Sequence, residues 1–212
     1  MEGDMTRADR ISLIRQLESL RKSKVIVYFC GDRRATGGTQ IADDSIRPLY
    51  DHLRALNALF PGKRKKLDFY LYSIGGLTET PWKIVTMLRE LSDELHVIIP
   101  YKAYSAATMI ALGADKIWMS EKAELGPIDP ALRFVDNPSR PLPFRLPEVG
   151  VEDIASFITF LRQRAGLTDQ SALASTINTL ATNLTPPLLG RIERIYSHIR
   201  LVARKLLSLS TR

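Results

Sequence analysis

Cysteine and histidine are scarce in this chain, which has one cysteine and three histidines among 212 residues. A single cysteine excludes an internal disulfide, and Cys30 stands at the end of the apolar run 25–29, which favours a place in the core. No group of histidine, cysteine and carboxylate residues has metal-ligand spacing, and the sequence contains no glycine-rich phosphate loop. We therefore expect no metal and no cofactor.

Long apolar runs are also absent, since none approaches the ~20 residues that a membrane-spanning helix needs. The N-terminus MEGDMTRADR is charged and has no apolar segment of the kind found in secretory signals. The length and the hydrophobic content of 45% suit one globular domain, or a core domain with an appendage. The simplest expectation is a soluble, cytoplasmic protein with no membrane span.

Acidic residues are outnumbered by basic ones, and the formal net charge is +7. Most of the excess lies after residue 129, where 11 lysine and arginine residues stand against 6 acidic ones. A basic tail can attract nucleic acid or an acidic partner. These arginines are spread among apolar residues, however, which is more typical of a solvated face or a subunit contact. Because no nucleic-acid motif accompanies them, we expect no nucleic-acid partner.

The most informative stretch of the chain covers residues 97–130. An apolar run ends at Pro100, and Ser105 then begins a small-residue segment that predicts a helix ending at Gly113. A serine between a strand and a helix lies near the free N–H groups of the helix start, which stabilise anions. A serine nucleophile needs such an environment. The alternative is that Ser105 only caps the helix.

A second strand–turn–helix unit precedes this stretch. Residues 67–72 predict a buried strand, Gly75 and Gly76 predict a turn, and an amphipathic helix follows. Two such units in tandem can bring both turns to the same edge of one sheet. The N–H of Gly75 or Gly76 would then join that of Ala106 in an oxyanion hole beside Ser105. The alternative is that the two glycines form a plain tight turn.

The order of these elements resembles the ClpP/crotonase superfamily. Three phrases are similar in particular to the serine dehydrogenase proteinases, a ClpP-like family: GDRRATGGTQIADDSIRPLYDHL, SIGG and PYKAYSAATMIALGADKIWMSEKAELGPIDP. The resemblance covers residues 24–132 well and the helical tail more loosely. It implies an α/β fold, a superhelix of strand–turn–helix units around a parallel sheet, with a helical C-terminal extension. It also implies serine peptidase activity on a peptide or protein substrate.

The same resemblance implies roles for particular residues. Ser105 is the expected nucleophile, and Asp129 is the expected acid. The expected oxyanion hole consists of Gly75, Gly76 and Ala106. Asp129 also has a simpler interpretation, because the sequence GPIDP around it is typical of a loop.

The general base is not identified by the resemblance. ClpP carries a histidine where this chain has Asp129 and its neighbours. In the serine dehydrogenase proteinases the histidine follows the tail helix, where this chain ends at Arg212, so we expect the chain to be truncated relative to them. His96 starts the strand that leads to Ser105, so we expect it at the far end of that strand, at the surface or at a strand edge. His52 is expected on the flank of a helix.

Three residues remain as alternatives for this base. His198 follows Asp129 along the chain, so a Ser105, Asp129, His198 triad is formally open, although a mid-helix histidine is more often at the surface. Lys102 and Lys122 offer a serine–lysine pair, but a lysine needs burial to act as a base at neutral pH. Lys122 lies in a charged run that is typical of a solvated turn, and Lys102 is expected to be exposed. A serine without a base is a weak nucleophile. The isolated chain is therefore expected to be poorly active if none of these three residues acts as the base.

The sequence predicts four segments along the chain. They are an N-terminal helix at 1–23, a core at 24–132, a proline-rich arm at 133–148 and a helical extension at 149–212. Helices are predicted within the extension at 151–165, 169–183 and 187–208.

Partners follow from the resemblance. It implies a homo-oligomer, which would be a trimer, a hexamer or a larger ring, and the proline-rich arm and the last helix are the expected interface. No ATPase motif is present, so an ATP-driven unfoldase that delivers substrates would be a separate partner. Two other functions stay open. One is a catalytically incomplete module for assembly or partner binding. The other is a crotonase-like acyl-CoA enzyme, although nothing in the sequence indicates a CoA site.

Overall fold

The computed structural model describes residues 5–32, 39–59, 66–128, 131–132, 149–183 and 186–210. The helices are α1 (Arg7–Arg21), α2 (Ile46–Leu59), α3 (Thr80–Glu90), α4 (Ala106–Leu112), α5 (Val151–Thr159), α6 (Gln170–Asn183) and α7 (Pro186–Leu209). The strands are β1 (Lys24–Phe29), β2 (Lys66–Tyr72), β3 (Glu94–Ile99), β4 (Lys102–Ala103), β5 (Lys116–Met119), β6 (Glu124–Leu125), β7 (Ala131–Leu132) and β8 (Val149–Gly150). Contacts divide the chain into two compact units, one made of residues 1–128 and 202–212 and the other of residues 129–201.

A parallel sheet of four strands forms the centre of the first unit, in the order β1, β2, β3, β5. Val27 pairs with Tyr70, and Tyr70 pairs with Ile98, so residues in register share a face of the sheet. The opposite face is buried across β2 and β3, as expected for parallel strands that are joined by helical crossovers. Its buried side chains are Leu67, Phe69, Leu71, Leu95, Val97 and Ile99. The α/β fold with a parallel sheet that the sequence predicted is confirmed.

Helices α2, α3 and α4 and the last turns of α7 supply the rest of this core. Ile84, Val85 and Leu88 recur with helical spacing on α3, and all three are fully buried. Gly113 follows α4 and lies against α3, because a Cβ built on it would be 2.5 Å from a methyl carbon of Val85. Leu206 of α7 is fully buried beside the same glycine. None of the described helices is long and apolar enough to cross a membrane.

A buried ionic network occupies the amino end of the sheet. Asp68 is fully buried and accepts hydrogen bonds from Arg21 Nε and from Ser23 Oγ, both at 2.5 Å. Arg21 is the last residue of α1, a helix that contains no buried residue. Polar contacts at its end therefore contribute much of the attachment of α1 to the sheet.

His96 belongs to this network, which corrects one prediction. The side chain is 1% exposed instead of lying at the surface, and β3 is an inner strand of the sheet. His96 Nδ1 lies 3.1 Å from Arg21 Nη2, and His96 Nε2 lies 2.7 Å from Glu94 Oε1. His96 lies near the start of β3, as predicted. The sequence did not indicate that Arg21 and Trp118 would pack against its ring.

The second unit is mainly helical in its described part. Helix α5 continues into a π-helical turn, Phe160–Arg164, and Gly166 follows with φ 66°. Helix α6 and the first part of α7 come next, and β7 pairs with β8 in antiparallel fashion. The three helices predicted here are confirmed. The proline-rich arm predicted at 133–148 lies outside the described residues.

Candidate active site

Ser105 lies between β4, a short strand that pairs with β6, and the start of α4. Its backbone angles are φ 51° and ψ −115°, and Lys22 is the only other described residue that has a positive φ without being glycine. Lys22 adopts the ordinary left-handed conformation of a helix end, whereas the ψ of Ser105 lies outside that region. Such a conformation costs about 1–3 kcal/mol and persists where the surrounding structure holds it, often at a functional site. A strained serine between a strand and a helix is typical of a nucleophile.

The side chain of Ser105 does not cap α4. The residue occupies the N-cap position, but its hydroxyl accepts no hydrogen bond from the helix. The capping role that the sequence left open therefore lacks the hydrogen bond that defines it. The residue is half-buried.

Gly75 and Gly76 must be glycines for two different steric reasons. A Cβ built on Gly75, whose φ is 119°, would lie 2.9 Å from Ser105 Cβ and 3.5 Å from Ser105 Oγ. A Cβ built on Gly76 would lie 2.0 Å from the carbonyl oxygen of Ile41. Gly75 thus leaves open the space next to Ser105, and Gly76 allows the backbone of Ile41 to approach. The structure brings the predicted Gly-Gly turn and the predicted serine into direct contact.

The backbone N–H groups around Ser105 are not equivalent. The N–H of Gly75 donates to Ser73 Oγ at 3.0 Å. The N–H groups of Gly76 and Ala106 donate to no acceptor among the described residues. Two of the three groups predicted to form an oxyanion hole therefore have no acceptor among the described residues, whereas that of Gly75 is already engaged.

The turn that leads to Asp129 is hydrogen-bonded to α4, the helix that follows Ser105. The hydroxyl of Thr108, in α4, lies 2.7 Å from Ala103 O and 2.8 Å from Gly126 O. A Cβ built on Gly126 would lie 2.5 Å from a ring carbon of Tyr104, so the turn passes closely over that ring. Asp129 itself lies outside the described residues.

The histidines predicted from the sequence lie on three different elements. His96 is held in the network at the amino end of the sheet, whereas Ser105 follows its carboxyl end. His52 is exposed on α2, as predicted for a helix flank, and His198 is exposed on α7. Neither His52 nor His96 is hydrogen-bonded to Ser105 among the described residues. No described group of three or more histidine, cysteine or carboxylate side chains could hold a metal ion.

The two lysines have different surroundings. Lys122 is exposed in the turn between β5 and β6, as the sequence predicted. The side chain of Lys102 is only 26% exposed, which corrects the expectation that it lies free in solvent. Its Nζ lies 3.6 Å from Asp32 Oδ2, and Tyr72 donates a hydrogen bond to the same carboxylate at 2.7 Å. The hydrogen bond from Tyr72 lowers the pKa of Asp32 and raises the pKa of Tyr72 to about 12.

Two polar residues of this site were missed from the sequence. The hydroxyl of Ser73 is hydrogen-bonded to the backbone of Gly75, and the hydroxyl of Thr108 is hydrogen-bonded to the turn at Gly126. Each is a hydroxyl residue inside a phrase that was already singled out. Hydroxyl residues beside a glycine turn or in a short helix are common, however, and their partners are set by the folded backbone.

Comparison with known proteins gives two curated relatives, both uncharacterized proteins of Methanocaldococcus jannaschii. One is 34% identical over 131 residues, which is 61% of this chain and 46% of the relative. The other is 32% identical over 125 residues, which is 58% of this chain and 42% of the relative. The matched region thus spans less than half the length of each relative.

Similar solved structures include a ClpP1 mutant from Listeria monocytogenes and the ClpP protease catalytic domain from Plasmodium falciparum. The first has a TM-score of 0.35 and 18% identity, and the match covers 48% of this chain and 51% of that one. The second has a TM-score of 0.36 and 15% identity, and the match covers 59% of each chain. Similarity at this level carries no argument about activity. The profile of a protein family gives the firmer result, because the ClpP-like SDH-type serine proteinases match residues 1–142. The chain therefore belongs to the family of ClpP-like SDH-type serine proteinases.

Proposed function

We propose that this chain is a serine hydrolase of the peptidase type that forms an acyl-enzyme at Ser105. One observation carries the proposal: Ser105 holds a strained backbone conformation between a strand and a helix, directly against Gly75. A side chain at Gly75 would fill the space beside the hydroxyl. Membership of a serine proteinase family supports the same chemistry.

The proposed reaction begins when Ser105 Oγ attacks the carbonyl carbon of an amide. The carbonyl π electrons move to oxygen, and the N–H groups of Gly76 and Ala106 stabilise the resulting oxyanion. A general base takes the proton of the Ser105 hydroxyl during the attack. When the tetrahedral intermediate collapses, the C–N bond breaks and the amine leaves with that proton. Water then hydrolyses the ester at Ser105. Removal of one oxyanion donor typically costs about 10²–10³ in kcat, so these two N–H groups would supply a large part of the catalysis.

Gly75 has a different place in this proposal from Gly76. Because its N–H is bonded to Ser73 Oγ, we assign it the task of leaving space for the reacting carbonyl. Asp129 is the proposed acid, since the turn that precedes it is tied to α4 by Thr108. Lys122 and His198 are the residues of this chain to test as the base.

The proposed substrate is a peptide or protein, and the proposed state is a homo-oligomer. Phe29 and Trp118 lie on the two edge strands of the sheet and are 64% and 47% exposed. An unpaired strand edge that carries large exposed apolar side chains can pair with another subunit, which supports this part of the proposal. Delivery of substrate by a separate ATP-driven unfoldase is part of the same proposal.

The direct test is covalent labelling with a fluorophosphonate probe. The unmodified chain should be labelled, and Ser105→Ala should abolish the labelling. Ser120→Ala is the matched control, because Ser120 lies in the loop after β5 and its hydroxyl donates to Pro100 O at 2.6 Å. The control should label at the normal rate. Failure of the folded, unmodified chain to react would overturn the hydrolase proposal.

A second candidate function is assembly or partner binding without catalysis. It is favoured by the position of His96, which is fixed by Arg21 and Glu94 at the end of the sheet remote from Ser105. In this case the chain would fold and form an oligomer but leave the probe unreacted. Sedimentation velocity together with labelling separates the two functions.

A further inference from the structure

Ser73 is a fully buried residue that follows β2 and is bonded to the segment leading to Ser105. Its backbone N–H donates to Lys102 O at 3.1 Å, and its carbonyl oxygen accepts from Tyr104 N at 3.1 Å. Tyr104 is the residue before Ser105. The main chain of Ser73 therefore sets the distance between the Gly-Gly turn and the serine.

The side chain of Ser73 forms hydrogen bonds with both backbone polar groups of Gly75. Ser73 Oγ accepts from Gly75 N at 3.0 Å and lies 3.2 Å from Gly75 O, to which it donates. Gly75 is buried, so this hydroxyl satisfies an N–H that would otherwise be costly to leave unpaired. Ile41 N donates to the same carbonyl oxygen at 2.9 Å. Two donors thus hold the carbonyl group of Gly75.

Holding this carbonyl fixes the direction of the next N–H. The carbonyl of Gly75 and the N–H of Gly76 belong to one planar peptide group, in which they point to opposite sides. A peptide between two glycines has little steric resistance to rotation about the flanking bonds. Without its two anchors, the Gly75–Gly76 peptide could turn and carry the Gly76 N–H away from its position.

We propose that Ser73 is a positioning residue that locks the Gly75–Gly76 peptide so that the Gly76 N–H faces the oxyanion formed at Ser105. This inference rests on the proposed function, because it gives Ser73 a role only if Ser105 reacts. Ser73 acts through the peptide group and does not touch the substrate. Its removal should slow the chemical step and leave probe binding unchanged.

The test compares the complete chain with Ser73→Ala and with Ser92→Ala as the matched control. Ser92 also donates to a backbone carbonyl, that of Leu88 at 2.7 Å, but it lies at the end of α3. Fluorophosphonate labelling is followed to saturation, which gives the inactivation rate kinact, the half-saturating concentration KI and the reactive fraction. For Ser73→Ala we expect kinact to fall by about tenfold or more, with KI and the reactive fraction unchanged. The Ser92→Ala protein should match the unmodified chain.

A second readout reports the peptide itself and needs no reaction. Amide exchange measured by NMR should show a protected Gly75 N–H in the unmodified chain and a fast-exchanging one in Ser73→Ala. Ser73→Cys keeps a side chain of similar shape with a weaker donor and acceptor, so it serves if the alanine variant does not fold. Its kinact should lie between those of the unmodified chain and Ser73→Ala.

The outcomes are distinct for the two proposals. If the unmodified chain reacts and Ser73→Ala reacts equally fast with an unprotected Gly75 amide, the positioning role is wrong and the hydrolase stands. If Ser73→Ala loses reactive fraction but keeps kinact, the residue is structural only, and the inference is again wrong. If the folded, unmodified chain does not react, the proposed function fails and this inference fails with it.

Discussion

Gly75 and Ser105 are in contact so close that a Cβ built on Gly75 would lie 2.9 Å from Ser105 Cβ. Gly75 follows β2 and Ser105 follows the short strand β4, and a parallel bridge between Ser73 and Ala103 brings the two segments together. The contact joins a glycine with φ 119° to a serine with φ 51°. These two unusual backbone conformations therefore occur at one place.

Substitution of Gly75 should inactivate the site. Gly75→Ala adds a methyl group against Ser105 and strains a backbone that L side chains rarely adopt. We expect fluorophosphonate labelling to slow by about 100-fold or more, because a shift of the reacting groups by about 1 Å has an effect of this size. Gly31→Ala is the control, because a Cβ on Gly31 meets nothing within 4 Å. Labelling of Gly75→Ala at the normal rate would show that the contact has no part in the reaction.

Loss of charge at Asp68 should destabilise the fold. Asp68→Asn leaves Arg21 without its carboxylate in a site where Asp68 is fully buried. We expect the free energy of unfolding to fall by about 3 kcal/mol, the low end of the range for a broken buried pair, since Arg21 keeps 16% exposure. Asp51→Asn breaks the exposed Arg47–Asp51 pair and should cost less than about 1 kcal/mol. Urea unfolding measures both, and equal effects would contradict the account of the network.

Alkaline pH should weaken the fold through Tyr72. The hydrogen bond to Asp32 raises the pKa of Tyr72 to about 12, compared with about 10 for an ordinary tyrosine. The neutral phenol is thus favoured in the folded state, and its contribution is complete below pH 10 and lost as the pH rises toward 12. Tyr72→Phe should therefore flatten the fall in unfolding free energy over this range. Tyr50→Phe is the control at an exposed tyrosine and should leave this fall unchanged. Identical pH profiles for Tyr72→Phe and the unmodified chain would count against the role of Tyr72.

Two glycines of the second unit should respond to alanine with opposite signs. Gly190 lies in α7 with open space around it, so Gly190→Ala should raise the free energy of unfolding by about 0.5–1 kcal/mol. Gly166 has φ 66°, so Gly166→Ala should lower it by about 1–2 kcal/mol. Thermal unfolding of the two variants checks the signs. A gain in stability from Gly166→Ala would mean that its left-handed conformation is not required.

The sequence was sufficient for the parts of this structure that depend on periodicity and on parallel topology. Apolar spacing located α3 and the core strands, and the rule that parallel strands end at one edge placed Gly75 near Ser105. Long-range polar contacts were not predictable in this way. The burial of His96 depends on Arg21, which comes from a helix far away in the chain.

Details of the candidate site depended on folded geometry in the same way. The hydrogen bond from the Gly75 N–H to Ser73 Oγ distinguishes Gly75 from Gly76, whose N–H has no acceptor among the described residues, although the sequence presents the two glycines as a pair. The missing cap at Ser105 also required its backbone angles. The acid at Asp129 came from the resemblance to a family and stays a prediction, as do Lys122 and His198.

The reactivity of Ser105 is best tested by locating a fluorophosphonate adduct with intact-mass and peptide mass spectrometry. We expect one adduct per chain, carried by Ser105 and absent from Ser105→Ala. A folded chain that carries no adduct, or an adduct on another residue that persists in Ser105→Ala, would contradict it.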